Sequence, residues 1–216
     1  MPDFPPLLRG VMADDPCAAA VTEARAGCAP GTLFWGPGAD FDAALVLAPE
    51  VDRARAAQML PLGAVALRDA VGAIGPEALP VHLAWDGRMM LDGGEAGRVR
   101  GLALPDEGTP DWLVIHATLR ILPEDAPADG RTALWAEGAG EVTADALLSA
   151  WSRHALHRLS QWEDGPRALH AEWLAASWER ASGDAGFVGL DEGFGRLRRE
   201  SGAVTLDPLD ALLEAP

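Results

Sequence analysis

The sequence predicts an α+β fold, a mixed and largely antiparallel sheet flanked by helices and followed by a small C-terminal β module. Three observations predict it. Short apolar runs bounded by Gly, Pro and Asp alternate with longer stretches of helical periodicity, so strands and helices share the first 183 residues. Asp86-Gly87 and Asp92-Gly93-Gly94 are tight-turn signals that fold successive strands back on each other. After residue 183 helical periodicity stops, and three short β runs separated by glycine turns take over. The predicted division is a main domain over 1–183 and a small β module over 184–216.

A first helix opens at Asp14-Asp15-Pro16, an acidic N-cap with Pro in the first turn, and closes at Gly27 and Pro30-Gly31. Thr32 to Trp35 is a short strand. Gly36-Pro37-Gly38-Ala39-Asp40 is a turn, and Ala43 to Ala48 a strand buried on both faces. From Val51 to Ile74 apolar residues recur at helical spacing, with a bend expected at Pro61. Val81 to Trp85 and Met89 to Leu91 form a hairpin, Gly97 to Leu104 continues the sheet, and Trp112 to Leu122 alternates as a longer strand. A Pro/Asp/Gly loop at 123–131 leads into helices over 143–162 and 166–182, broken at Glu163-Asp164-Gly165-Pro166. Phe187–Leu190, Gly195–Arg198 and Ala203–Leu206 are the strands of the module.

Composition narrows the function. The 49% hydrophobic content is ample for a core. The formal charge of −16 argues against nucleic acid, where Lys and Arg must neutralise phosphates, and against an acidic membrane surface or a strongly acidic acceptor protein. All 17 basic side chains are Arg and Tyr is absent, the usage of a GC-rich, bacterial genome. The N-terminus has no basic region followed by an apolar run, and no stretch has the length of a membrane span, so a cytoplasmic location is expected.

Several segments, in order, resemble the biotin/lipoate protein ligases, a family with the class II aminoacyl-tRNA synthetase/biotin synthetase-like fold and a C-terminal SH3-like module. Ala44-Leu45-Val46-Leu47-Ala48-Pro49 is similar to the family strand that ends before the long helix. His82-Leu83-Ala84-Trp85-Asp86-Gly87-Arg88 and its hairpin resemble the stretch around the K-W-P-N-D motif. Trp112 to Leu119 resembles the V-x-G-I-G-I-N strand, Ala146 to Ser182 the helical pair, and Val188 to Gly193 the start of the module. The resemblance spans Asp14 to Leu206 and implies ATP-dependent acyl-adenylate chemistry on biotin or lipoate. The family lysine, which bridges the acyl carboxylate and the α-phosphate, aligns with Ala84. The motif's Pro, Asn and Asp align with Asp86, Gly87 and Arg88, the asparagine of the later strand with Arg120, and only Trp85 is kept. The Gly/Arg-rich phosphate loop aligns with the short acidic stretch Gly36–Asp42.

The expected substrate- or nucleotide-binding candidates are therefore Trp85, Arg88, Arg100 and His116, with no catalytic residue assigned. Arg88, Arg98 and Arg100 cluster around one hairpin, and Arg98 and Arg100 are assigned to opposite faces, so that one of them at most joins Arg88 at a pocket. His116, inside an apolar strand, is read first as a core histidine and second as an acid/base group. His154 and His157 lie three apart on a helix with His170 on the next; no third ligand is fixed, and no metal is expected. Cys17 and Cys28 are read as buried thiols away from the hairpin. The expected function is a ligase-like protein of unassigned role, a pseudoenzyme lacking the lysine and the phosphate loop. The alternatives are an active ligase with Arg in the lysine's place, or a small-acid binding or homodimerising module. ATP and biotin or lipoate are its cofactors only under the ligase alternative.

Overall fold

The computed structural model describes residues 2–105, 108–123 and 129–216. Most of the predicted loop at 123–131, from 124 to 128, lies outside the described residues. The chain builds, in order, β1 (Arg9–Met12), α1 (Pro16–Arg25), β2 (Thr32–Trp35), β3 (Phe41–Leu47), α2 (Arg53–Ala56) and α3 (Met59–Ile74). There follow β4 (Val81–Leu83), β5 (Arg88–Leu91), β6 (Gly94–Leu104), β7 (Trp112–Leu119), α4 (Ala144–Glu163), α5 (Arg167–Ala175) and α6 (Trp178–Ala181). β8 (Phe187–Leu190), β9 (Arg196–Glu200), β10 (Ala203–Asp207), a 3₁₀ turn at Leu209–Leu212 and β11 (Leu213–Glu214) complete it.

The predicted fold class holds. Eight strands form one mixed sheet in the order β1-β2-β3-β7-β6-β5-β4, with β11 pairing beside β6. A separate three-stranded antiparallel sheet runs β10-β9-β8. Residues after it return to the large sheet, where Leu213 and Glu214 pair with Gly101 and Leu102.

Strand β7 sets the layers by its period of two. Leu113, Ile115, Ala117 and Leu119 face the main core, under α3, α4 and α5, while Val114 packs on the other face with α1. That second cluster joins Ala20 and Ala24 of α1 to Phe34, Ala44, Val46, Leu102 and Leu104. Helix α1 covers only part of its face; beyond its first turn the sheet shows Asp42, Thr118 and Arg98 to solvent.

Helix α1 starts where its cap predicts, with the Asp15 carboxylate accepting from the Ala18 amide and Pro16 in the first turn. The helix expected over 51–74 is two, parted at Ala57-Gln58 rather than bent at Pro61. Pro61 lies in the first turn of α3, where its missing N–H has no helical partner to lose. The segment predicted as one helix over 166–182 breaks at Ala176-Ser177, because that backbone pairs with β4. Leu83 N donates to the Ala176 carbonyl at 2.8 Å, which covers the sheet's edge strand. Ala84 and Trp85, predicted to end a strand, instead enter its turn, closed by Gly87 N donating to Ala84 O at 2.9 Å. β1 was not predicted; it adds to β2 in parallel, outside any apolar alternation. Among the described residues no helix is long and apolar enough to cross a membrane.

Candidate functional site

Three adjacent strands bring polar side chains together on the face that α1 half covers. Ala44 of β3, His116 of β7 and Arg100 of β6 lie opposite one another in the two ladders. Asp42 precedes Ala44 by two residues and so shares its face. Cys17 stands in the first turn of α1, above this row. The contacts are specific. His116 Nε2 lies 2.8 Å from Asp42 Oδ1, and His116 Nδ1 lies 2.9 Å from Arg100 Nη2. The same Arg100 nitrogen is 4.0 Å from Cys17 Sγ, and its Nη1 donates to Glu214 Oε2 at 3.2 Å.

Asp42, His116, Cys17 and Arg100 therefore form one connected group, with the histidine at its centre. His116 is 8% exposed, whereas Asp42 and Arg100 keep over a third of their side-chain surface in solvent. Burial on its own lowers the imidazole pKa. The hydrogen bond to Asp42, then the bond to Cys17 and the charges of both, outweigh it and raise the value to about 9. Arg100 acts in the other direction, since a guanidinium only donates and its contact at Nδ1 uses the lone pair of the neutral ring. The ring thus has two states. The neutral one accepts from Arg100 and donates to Asp42, and the protonated one sets a second cation against the Arg100 guanidinium.

Of the expected binding residues, His116 and Arg100 meet in this group, and Trp85 and Arg88 lie elsewhere. Trp85 is 5% exposed. Its amide donates to Glu179 Oε1 at 2.8 Å, its indole N–H donates to the Phe194 carbonyl at 3.0 Å, and the Arg196 guanidinium covers its ring at 4.4 Å. It fastens the second sheet to the hairpin of the first.

Arg88 Nε donates to both oxygens of Asp86, at 3.0 and 2.9 Å, and its Nη1 is 3.7 Å from Glu95. Asp86 accordingly holds the Arg88 proton above the guanidinium's ordinary range. Arg98, opposite Arg88 in the ladder, also approaches Asp86 at 3.9 Å. The assignment of Arg98 and Arg100 to opposite faces is wrong: they are two residues apart on a strand and share a face, while Val99 between them enters the main core.

Two residues of the group were not expected from sequence. Cys17, read as a thiol away from the hairpin, lies 4.0 Å from Arg100 Nη2. Asp42, read as part of the short acidic stretch in the phosphate loop's place, holds the imidazole. The other loop acid, Asp40, accepts from the amides of Ile121 and Leu122 at 2.7 and 3.1 Å, so Gly36–Asp42 is a closed hairpin between β2 and β3. Cys28 lies beyond the far end of α1, where burial pushes its thiol up. His170 bonds the Asp191 carbonyl at 2.9 Å, and among the described residues no group of three or more His, Cys, Asp or Glu could hold a metal ion.

Comparison with known proteins places this geometry in a lineage. Residues 4–175 match the model of the biotin/lipoate A/B protein ligase family. The chain is similar to a biotin protein ligase-like protein of unknown function from a Silicibacter species, with 36% identity, a TM-score of 0.91, and 99% of this chain and 100% of that one covered. It is also similar to the biotin protein ligase of Aquifex aeolicus, at 13% identity and TM-score 0.73, over 93% of this chain and 95% of that chain. The Leishmania major biotin protein ligase in complex with biotinyl-5-AMP matches at 13% identity and TM-score 0.60, over 94% and 98% of the two chains. These last two share the fold. No curated protein matches the chain.

Proposed function

The chain belongs to the biotin/lipoate A/B protein ligase family, and from that premise we propose that it is a divergent member without acyl-adenylate ligase chemistry. The observation that carries this reading is that both arginines available to replace the lysine are already paired with carboxylates. Ala84, at the lysine's aligned position, is fully buried. Arg88 is held by Asp86 and Glu95, and Arg100 by Glu214 and the His116 ring. An incoming α-phosphate or acyl carboxylate has to displace these partners before either cation can serve it. The hairpin Gly36–Asp42 adds no arginine and places Asp42 on the open face, where it opposes negative charge.

The test is pyrophosphate exchange with ATP and biotin, lipoate or octanoate. The expected result is no exchange above a protein-free control. Exchange that disappears in Arg88→Ala or Arg100→Ala overturns the reading and makes the chain a working ligase with an arginine in the lysine's role.

A second reading, binding of a small acid without ATP, draws on Arg98, which is exposed on the open face two residues from Arg100. A ligand bound only by the folded chain raises its melting temperature. Biotin, lipoate and short-chain acids are the panel, and an Arg98→Ala variant that loses the shift assigns the site.

A further inference from the structure

We propose that the edge of β6 beyond β5 is a docking groove for an extended peptide segment carrying an aliphatic residue followed directly by Asp or Glu, and that residues 213–216 occupy it in cis. The inference goes beyond the loss of ligase chemistry and does not depend on it.

The groove exists because β6 outruns one of its neighbours. β5 pairs with β6 only from Gly94 to Arg98, whereas β7 runs along the other side as far as Leu104. Val99 N donates to the Gly87 carbonyl at 2.8 Å, and past that bond β5 leaves the edge of β6 open. Such an edge is a template for an added strand. The chain's own Leu213 and Glu214 fill it, parallel to β6 and opposite Gly101 and Leu102. Strand alternation sends their side chains to opposite faces, which makes two separate recognition elements. Leu213 is 6% exposed and enters the main core. Its space requires glycine at 101, where a Cβ would lie 2.6 Å from Leu213 Cδ2. Glu214, on the other face, accepts from Arg100 Nη1 at 3.2 Å.

Charge complementarity identifies the class of occupant. In a chain of formal charge −16, arginines from three elements converge on this one segment. Arg53 of α2 donates from Nη2 to the Leu213 carbonyl at 3.2 Å, Arg100 of β6 holds Glu214, and Arg25 at the end of α1 donates from Nη2 to Pro216 O at 3.0 Å. Arg53 Nη1 is buried without a hydrogen-bond partner, so the cis segment leaves one donor of the groove unused. Beside Pro216 the groove runs into a cavity of about 460 Å³ between Arg25, Leu104, Asp111 and Trp112, room for a longer segment than the one seated there. The cis segment is also separable from the rest of the fold. Leu209, 3% exposed, anchors the 3₁₀ turn that precedes it, so residues 213–216 can leave while the second sheet stays in place. Tethering gives them an effective concentration on the order of millimolar, which a partner has to overcome.

The experiment uses the full chain and a fluorescein-labelled peptide of residues 210–216, read by anisotropy. In the double variant Leu213→Ser, Glu214→Ser the cis segment loses both recognition elements and opens the groove to the probe. The expected result is saturable binding to that variant and binding at least about tenfold weaker to the native chain. A probe carrying Leu213→Asp binds the opened chain at least about tenfold more weakly than the native peptide. A probe carrying Glu214→Arg loses about 2- to 5-fold, and Arg100→Ala added to the opened chain removes that difference. Equal binding to the native and opened chains, equal binding of the three probes, or no binding to an opened chain with native circular dichroism overturns the proposal. Amide exchange on the native chain is a second measure that needs no variant. Local release predicts that residues 213–215 exchange roughly 10²-fold faster than β7. Exchange at the rate of β7, which means that the segment leaves only when the whole chain unfolds, overturns the proposal as well.

Discussion

His116 Nε2 and Asp42 Oδ1 stand 2.8 Å apart, joining the middle of β7 to the start of β3 on the face where α1 begins. The bond has a consequence for stability against pH. A histidine whose pKa rises from 6.5 unfolded to about 9 folded adds stability that is fully present below pH 6.5 and is lost as pH climbs through 9. The size is on the order of 3–4 kcal/mol, at about 1.4 kcal/mol per pKa unit. Urea unfolding at pH 6 and pH 9.5 measures it, and NMR of the His116 ring follows the titration directly. In Asp42→Asn the largest raising contact is lost, the pKa falls, and the stability lost on going to pH 9.5 shrinks. In Arg100→Ala the pKa rises, because a positive charge beside Nδ1 has gone. A ring that still titrates near 9 in Asp42→Asn and in Cys17→Ala shows that neither group sets the value.

Trp85 makes a different expectation testable. Replacing it by Phe removes the indole donor from the Phe194 carbonyl, and Phe194 is fully buried. An orphaned buried carbonyl costs about 1–3 kcal/mol, and the weakened Arg196 contact about 0.5–1 kcal/mol more. The loss should be local: amide exchange over 187–207 accelerates while that of β6 and β7 changes little. A variant with native stability that no longer binds a ligand of the native chain returns Trp85 to the role of binding platform expected from its motif.

How these sites looked in the sequence follows from their physics. The β7 run was legible because its apolar residues alternate between two cores, and His116 stood out as a polar residue at one of those positions. Cys17, Asp42 and Arg100 carried no such mark, since they lie on three other elements and meet only through the ladder register Ala44–His116–Arg100. A faint signal existed. Asp42 shares the parity of Ala44 and Val46, as Arg100 shares that of Leu102, so an ordered sheet places them on one face. β1 and β11 were not legible for another reason. Both are short pairings at the sheet's periphery, fixed by where the chain lands rather than by their own pattern. The break between α5 and α6 is likewise tertiary, an edge strand claiming two residues with good helical propensity.

Gly87 tests the turn that separates Trp85 from Arg88. Its φ is +86°, and a Cβ built there lies 2.1 Å from the Val99 carbonyl oxygen, closer than any side chain can sit against backbone. The same glycine's carbonyl accepts from Val99 N at 2.8 Å, so the turn cannot move off β6 without losing that bond. Gly87→Ala is expected to cost about 3 kcal/mol or more, summing left-handed strain and the clash. Gly72→Ala, in α3 with open space around it, gains about 0.5–1 kcal/mol from helix propensity and is the matched control. Equal, small effects at both positions would contradict the close approach of the turn to β6.

Arg158 and Asp69 clamp α4 to α3, and their contribution separates ion pairing from packing. Nε and Nη2 both donate to Asp69 Oδ2, at 2.9 and 2.6 Å, and each side chain is only 14% exposed. Gln161 accepts from Nη1 at 3.1 Å, and Glu172 of α5 approaches Nη2 at 3.9 Å. Arg158→Ala leaves Asp69 with its charge poorly solvated between two helices, and the expected cost is about 2–4 kcal/mol. The double variant Arg158→Met, Asp69→Leu removes both charges while keeping volume, and recovers most of that loss if the cost comes from the stranded carboxylate. If the double variant is as unstable as Arg158→Ala, the clamp acts through its hydrogen-bonded geometry, and helix α4 owes its position over α3 to that arginine. Chemical denaturation of the three proteins at one pH near neutral decides between the two.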